Sequence, residues 1–199
     1  MSMIFPVTKS CHKIISHVYT CNGIKISKLL RETSVSQRIG YKHVDKLIES
    51  HVFKEEQTGS LRIIKPNINS ETGRLMFGLI EKQRELKLID KKPELKESLD
   101  NLKMNAHQLS IQSVILFGAF VKNGDKEKIN ILVICENNDK RILPFLQQCF
   151  NNLENAVIAR ILSPKGFEKF KNTKQDLYQE LFRNHVCVYN TQRFLELIA

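Results

Sequence analysis

The sequence predicts a mixed α+β (α/β) chain with an N-terminal helix-turn-helix unit and hairpin over residues 1–66, a helical connector over 67–107, and a mixed sheet with flanking helices over 108–199. Three observations carry this expectation. The first third alternates helical and strand patterning in the order helix, short strand, helix, turn, helix, hairpin. The last part alternates strand-length apolar runs, such as 113–117 and 131–135, with helical patterns, as a layered sheet-and-helix unit requires. Between them lie two amphipathic stretches, split by Asp90-Lys91-Lys92-Pro93.

The first helix is expected over Thr8–Tyr19, with Thr8 as N-cap and Cys11, Ile14, Ile15 and Val18 at helical spacing. After the turn Cys21-Asn22-Gly23, Ile24–Ile26 reads as a short strand. Ser27 would cap a second helix over Lys28–Glu32. Ser34–Ser36 is a turn, and Ser36 would cap a third helix to about Ser50, with Ile39, Val44, Leu47 and Ile48 turned inward. The runs Val52–Glu56 and Leu61–Lys65 flank Gln57-Thr58-Gly59-Ser60 and make a hairpin. This is the order of a winged helix. The segment ISKLLRETSVSQRIGYKHVDKLIESHVFKEE resembles the helix-turn-helix of winged-helix transcription regulators over about 60 residues in all. Gly40 departs from that pattern, where an aliphatic residue is usual, and a helical glycine costs roughly 1 kcal/mol. His51 stands where many relatives have glycine.

Charge agrees with a polyanionic partner. The whole chain has a net charge of +10, and residues 1–66 hold 11 Lys/Arg against 5 Asp/Glu, a net of +6. Once the apolar face is buried, Gln37, Arg38, Tyr41, Lys42 and Lys46 are left on the outer face of the third helix. Their donors suit base edges and phosphates in the major groove. Lys54, Thr58, Ser60 and Arg62 on the wing are candidates for the adjacent backbone. The expected partner is double-stranded DNA, and the expected assembly a homodimer. The connector provides either a packing surface or a dimer seam. Its first helix, opened by Ser70-Glu71-Thr72 and running to about Leu88, repeats Leu75, Leu79 and Leu86 near heptad spacing, beside Met76 and Ile80. Its second runs from Pro93 to about His107.

The last part is expected to hold strands over Ser113–Phe120, Ile129–Cys135, Ala156–Leu162 and His185–Tyr189. Helices are expected over Asn138–Phe150, where Pro144 allows the regular part to start only at that residue, from Ser163-Pro164 to Phe170, over Gln175–Asn184 and over Gln192–Ile198. This order, and the text VILFGAF…KINILVICE…LYQELFRNHVCVYNTQRFLELI, resembles the minimal nucleotidyltransferases of the polymerase-beta superfamily. The resemblance implies a Gly-Ser turn for a triphosphate and an Asp-x-Asp pair for two divalent metals. Gly118 is retained, but Ala119 replaces the serine, and Lys128-Ile129-Asn130 replaces the aspartates. A lysine repels Mg²⁺ and an asparagine brings no charge. No acid falls in Ala156–Leu162, and Asp125 and Glu127 are out of register. Gly118, Ala119, Lys128 and Asn130 then form a vestigial nucleotide-binding site in a scaffold that dimerises or senses a ligand. Metal-free nucleotide binding would draw on Lys122, Lys126 or Lys128.

The five scattered cysteines contain no Cys-x-x-Cys pair, so Cys11, His12, His17 and Cys21 are not expected to hold zinc, and no metal or cofactor is expected. No run approaches the ~18 apolar residues of a membrane span. With no secretory pattern at the start, a cytoplasmic location is expected. The leading reading is a DNA-binding transcriptional regulator without enzyme activity. The alternatives are an active nucleotidyltransferase with an atypical site and an antitoxin-like protein-interaction module.

Overall fold

A computed structural model describes residues 8–21, 23–59, 61–123, 128–137 and 139–199. The chain is α+β, with two sheets and two units, the first ending at Phe77 and the second spanning Gly78–Ile198.

In the first unit, α1 (Lys9–Cys21) starts where Thr8 Oγ1 accepts a bond from the Cys11 amide at 3.2 Å, and it runs two residues past the expected end. β1 is only Ile24–Lys25. Ile26 opens α2 (Ile26–Thr33), so Lys25 is the N-cap and Ser27 lies inside the helix rather than capping it. Ser34 is left-handed, with φ of 54°, and ends α2. α3 (Gln37–Glu49) follows, then β2 (Phe53–Thr58) and β3 (Leu61–Pro66). Ser36 sits at the N-cap of α3 without a side-chain bond to it. His51 is left-handed, with φ of 59°, which is the conformation glycine serves in the resembled regulators. The sheet order is β1-β3-β2, all antiparallel, with Ile24 opposite Ile64 and Thr58 opposite Leu61. Ile14, Ile15, Val18, Leu29, Val44, Leu47, Phe53 and Ile64 fill the core. Tyr19 stacks on Phe77 with ring centroids 4.9 Å apart. Three helices with a two-stranded wing and a short third strand make the winged-helix arrangement.

The long helix α4 (Glu71–Lys91) begins with Ser70 Oγ accepting from the Gly73 amide at 2.9 Å. Next come α5 (Leu95–Asn105), a 3₁₀ turn (Ala106–Leu109), β4 (Ile111–Phe117), α6 (Ala119–Asn123) and β5 (Lys128–Cys135). The chain continues with α7 (Ile142–Cys149), β6 (Ala156–Leu162), α8 (Pro164–Thr173), α9 (Gln175–Arg183), β7 (His185–Tyr189) and α10 (Thr191–Ile198). The sheet order is β6-β5-β4-β7, and only β5 and β6 run parallel. Leu88 of α4 and Leu95, Leu99 and Leu102 of α5 pack on one face of this sheet with Val114, Leu116, Ile129, Ile131, Val133 and Val186. The alternate strand positions point to the other face. There the rings of Phe182 and Phe194 lie 4.6 Å and 5.3 Å from that of His185.

Several expectations for this unit need correction. Ala119 and Phe120 belong to a helix, because the chain leaves the sheet at Gly118, whose φ of 80° is open to glycine at little cost. α7 begins only at Ile142. Pro144 then lies in its first turn, where its missing amide leaves no bond unmade. α5 begins at Leu95, after Pro93. Ser163 does cap α8, accepting from the Gly166 amide at 3.0 Å, but α8 extends to Thr173.

Candidate nucleic-acid interface

The outer face of α3 follows from which residues the core takes. Gly40, Val44 and Leu47 are buried at i, i+4 and i+7. That leaves Gln37, Arg38, Tyr41, Lys42 and Lys46 exposed on one helix. Ile39, expected inside, is 49% exposed, and Ile48 is only half-buried. Val44 and Leu47 are thus inward as expected, but Gly40 stands where Ile39 was expected. The cause is Leu30, whose side chain occupies the space beside residue 40. A Cβ on Gly40 would lie 2.2 Å from Leu30 Cδ2. Ile39 is thus a member of the outer face that the sequence reading missed, and an exposed aliphatic there suits a thymine methyl. The signal was present in the Gly40–Val44–Leu47 spacing, read with glycine as a packing residue.

The field on this face is positive. His43, half-buried behind it, has its pKa lowered by burial and then by Lys46 and Lys42. Among the described residues, the amino-terminal half of α3 carries no carboxylate.

The wing contributes less than the sequence promised. The Arg62 guanidinium makes bonds of 2.6 and 3.0 Å to Glu55 and one of 2.9 Å to Asp45. Both partners, Glu55 first, hold its pKa above the ordinary value. Donors committed to two carboxylates are not available to a phosphate. Lys65 is likewise paired with Glu56 at 2.6 Å. Lys54 remains exposed. Ser60 and the side chain of Thr58 lie outside the described residues.

At one end of the second sheet, Gly118, Lys128 and Asn130 come together. Phe117 pairs with Asn130, and the Asn130 amide nitrogen would lie 3.2 Å from a Cβ on Gly118. The Gly118 amide donates to the Asn184 carbonyl at 2.9 Å. Lys128 and Ala119 are exposed and Asn130 is half-buried. On the neighbouring strand, Ala156 stands beside Lys128 and Ile158 beside Asn130. This corner presents one cation, one amide and aliphatic carbon where metal chemistry needs clustered carboxylates. Asp125, Lys126 and Glu127 lie outside the described residues.

Sequence reading missed a buried charged cluster altogether. Glu81 and His185 are fully buried. Glu81 Oε1 lies 3.1 Å from both His185 Nε2 and Arg84 Nη1, and Glu81 Oε2 accepts from the Cys187 amide at 2.7 Å. Burial pushes the Glu81 pKa up. The His185 ring, Arg84 and the Cys187 amide outweigh it and hold the carboxyl at about 2.

Neither a family model nor a curated protein matches this chain. Among solved structures it aligns with TrmBL2, an archaeal chromatin protein described as showing a novel mode of DNA binding. The alignment covers 88% of this chain and 73% of that one at 12% identity, with a TM-score of 0.31. A superposition that loose carries no argument about this protein. Among the described residues no helix is long and apolar enough to cross a membrane.

Proposed function

We propose that this protein is a cytoplasmic DNA-binding transcriptional regulator that reads duplex DNA with α3 as a homodimer. Its second unit is, on this reading, a nucleotidyltransferase-like scaffold without transfer activity. The observation that carries the proposal is the outer face of α3, where Gln37, Arg38, Ile39, Tyr41, Lys42 and Lys46 are all exposed. Donors, an aliphatic contact and net positive charge on one helix of groove-fitting width match what base edges and phosphates require. The +6 charge of residues 1–66 supports the same partner.

Binding of labelled duplex DNA, followed by fluorescence anisotropy, tests this. Affinity should fall steeply as salt rises, because Lys and Arg release condensed counterions. The Arg38→Ala/Lys42→Ala variant should lose about 1–3 kcal/mol for each base-directed contact. Arg62→Ala should leave the salt dependence unchanged. If the α3 double variant binds as the parent does, the reading helix is not α3.

A further inference from the structure

We infer that a basic cleft in the second unit binds a small polyphosphorylated ligand without a metal ion. Its lining includes none of Gly118, Lys128 and Asn130. It is a cavity of about 290 Å³ between the last turns of α4, the end of α6 and the α9–β7 junction. Lys87 and Lys91 enter it from α4, Lys122 from α6 and Arg183 from the end of α9. Among the described residues no Asp or Glu lines it, and none of these four cations has an ion pair. Arg84, the fifth cation of the wall, is anchored by buried Glu81 and by the Arg183 carbonyl at 3.3 Å.

Four cations that converge on one concavity without a carboxylate partner among the described residues repel each other. A bound anion relieves that repulsion, and a chain of phosphates meets several cations at once. The volume is at the small end of the ~300–1,000 Å³ of ligand pockets. A neighbouring cavity of about 640 Å³ shares Leu88, Lys91, Val121 and Lys122 with it, and adds Lys92, Asn152 and Asn155. The phosphates therefore have the cation-lined end and a polar body has the larger one. The opposite placement is unfavourable, because Glu94 and Glu154 line the larger cavity.

Metal is not required by this arrangement, since the charge that Mg²⁺ would neutralise is met by side chains. Nor is this the corner that the sequence singled out. Neither Lys128 nor Asn130 lines the cleft, although the Gly118 amide donates to the carbonyl of Asn184 in its wall. Of the lysines expected to hold a nucleotide, only Lys122 lines the cleft among the described residues.

Titration calorimetry of the full chain in EDTA, with sodium tripolyphosphate and separately with ATP, tests the inference. Both probes should bind saturably at one site per chain and compete. In Lys91→Glu/Lys122→Glu, with melting temperature checked, affinity should fall on the order of tenfold or more for the lost charge-assisted contacts. The milder Lys122→Met should fall less. Arg38→Ala/Lys42→Ala should bind both probes as the parent does, while Lys91→Glu/Lys122→Glu should retain DNA binding. Failure of the cleft and failure of the DNA reading are thereby separated. No saturable binding of either probe, binding of ATP without tripolyphosphate, or full affinity in the cleft variant would overturn the assignment.

Discussion

Gly40 shows how one missing methyl group can be a packing requirement. Helix propensity alone says that Gly40→Ala should stabilise α3 by roughly 1 kcal/mol. The new Cβ would lie 2.2 Å from the Cδ2 of Leu30, a buried side chain in a filled core, and overpacking of that kind costs about 1–3 kcal/mol. The expected net result is a loss of stability, read as a lower urea midpoint, with Leu30→Ala/Gly40→Ala losing less than the sum of the two single losses because the two sites share the same space. A stabilised single variant would refute the packing account. Glu81 makes the complementary case for charge. Its carboxyl is held at about 2, below the ordinary 4.5. A depressed folded-state pKa contributes stability that is present above the ordinary value and is lost as pH falls toward 2. Unfolding free energy should therefore drop through that window, and Glu81→Gln should flatten the drop. At neutral pH the same variant should cost on the order of 3–5 kcal/mol, since it strands buried partners of the carboxylate. Identical acid limbs for parent and variant would remove Glu81 from the explanation.

At the scale of elements, α4 is the helix whose faces the sequence did not sort. Its leucines at 75, 79 and 86 are all exposed, whereas Glu81 and Glu85 are buried. Periodicity counts apolar residues and has no means of seeing that two carboxylates will be met by cations. Arg84 and His185 meet Glu81; Lys82 and Lys103 meet Glu85, at 3.1 and 2.5 Å. The exposed leucines recur near heptad spacing, which is the basis for placing the homodimer seam on this helix. A second copy would bring a second reading helix, and the gain in effective concentration supplies affinity that a single module lacks. Leu79→Glu should convert the dimer to monomer in light scattering at micromolar protein, with the circular dichroism spectrum unchanged because Leu79 is not in the core. A parent that is monomeric with and without DNA would end the seam hypothesis.

For the molecule as a whole, the absence of transfer activity is the prediction that the residue content makes most sharply. With Lys128 and Asn130 where the resembled enzymes have carboxylates, labelled ATP, CTP, GTP or UTP with Mg²⁺ or Mn²⁺ should label neither the protein nor tRNA. Transfer abolished by Asp125→Asn or Glu127→Gln would show that the loop supplies the acids. Most elements were legible in the sequence, because amphipathic periods such as Ile14–Ile15–Val18 and runs such as Ile131–Cys135 state their own burial. The outer face of α3 was legible apart from Ile39, which needed knowledge of Leu30. The basic cleft was not legible, since Lys91, Lys122 and Arg183 are far apart in sequence and only the fold brings them to one cavity. The buried carboxylate on β7 has one more consequence. β7 ends the sheet on one side, and its outward Cys187 amide is already held by Glu81, so an incoming strand would have to displace a carboxylate from the interior. β6 ends the other side with alternating exposed positions and Arg160. Any joining of this second sheet to that of another copy is thus confined to β6. Two chains paired there would leave no further open edge of this sheet, so association through this sheet closes at two.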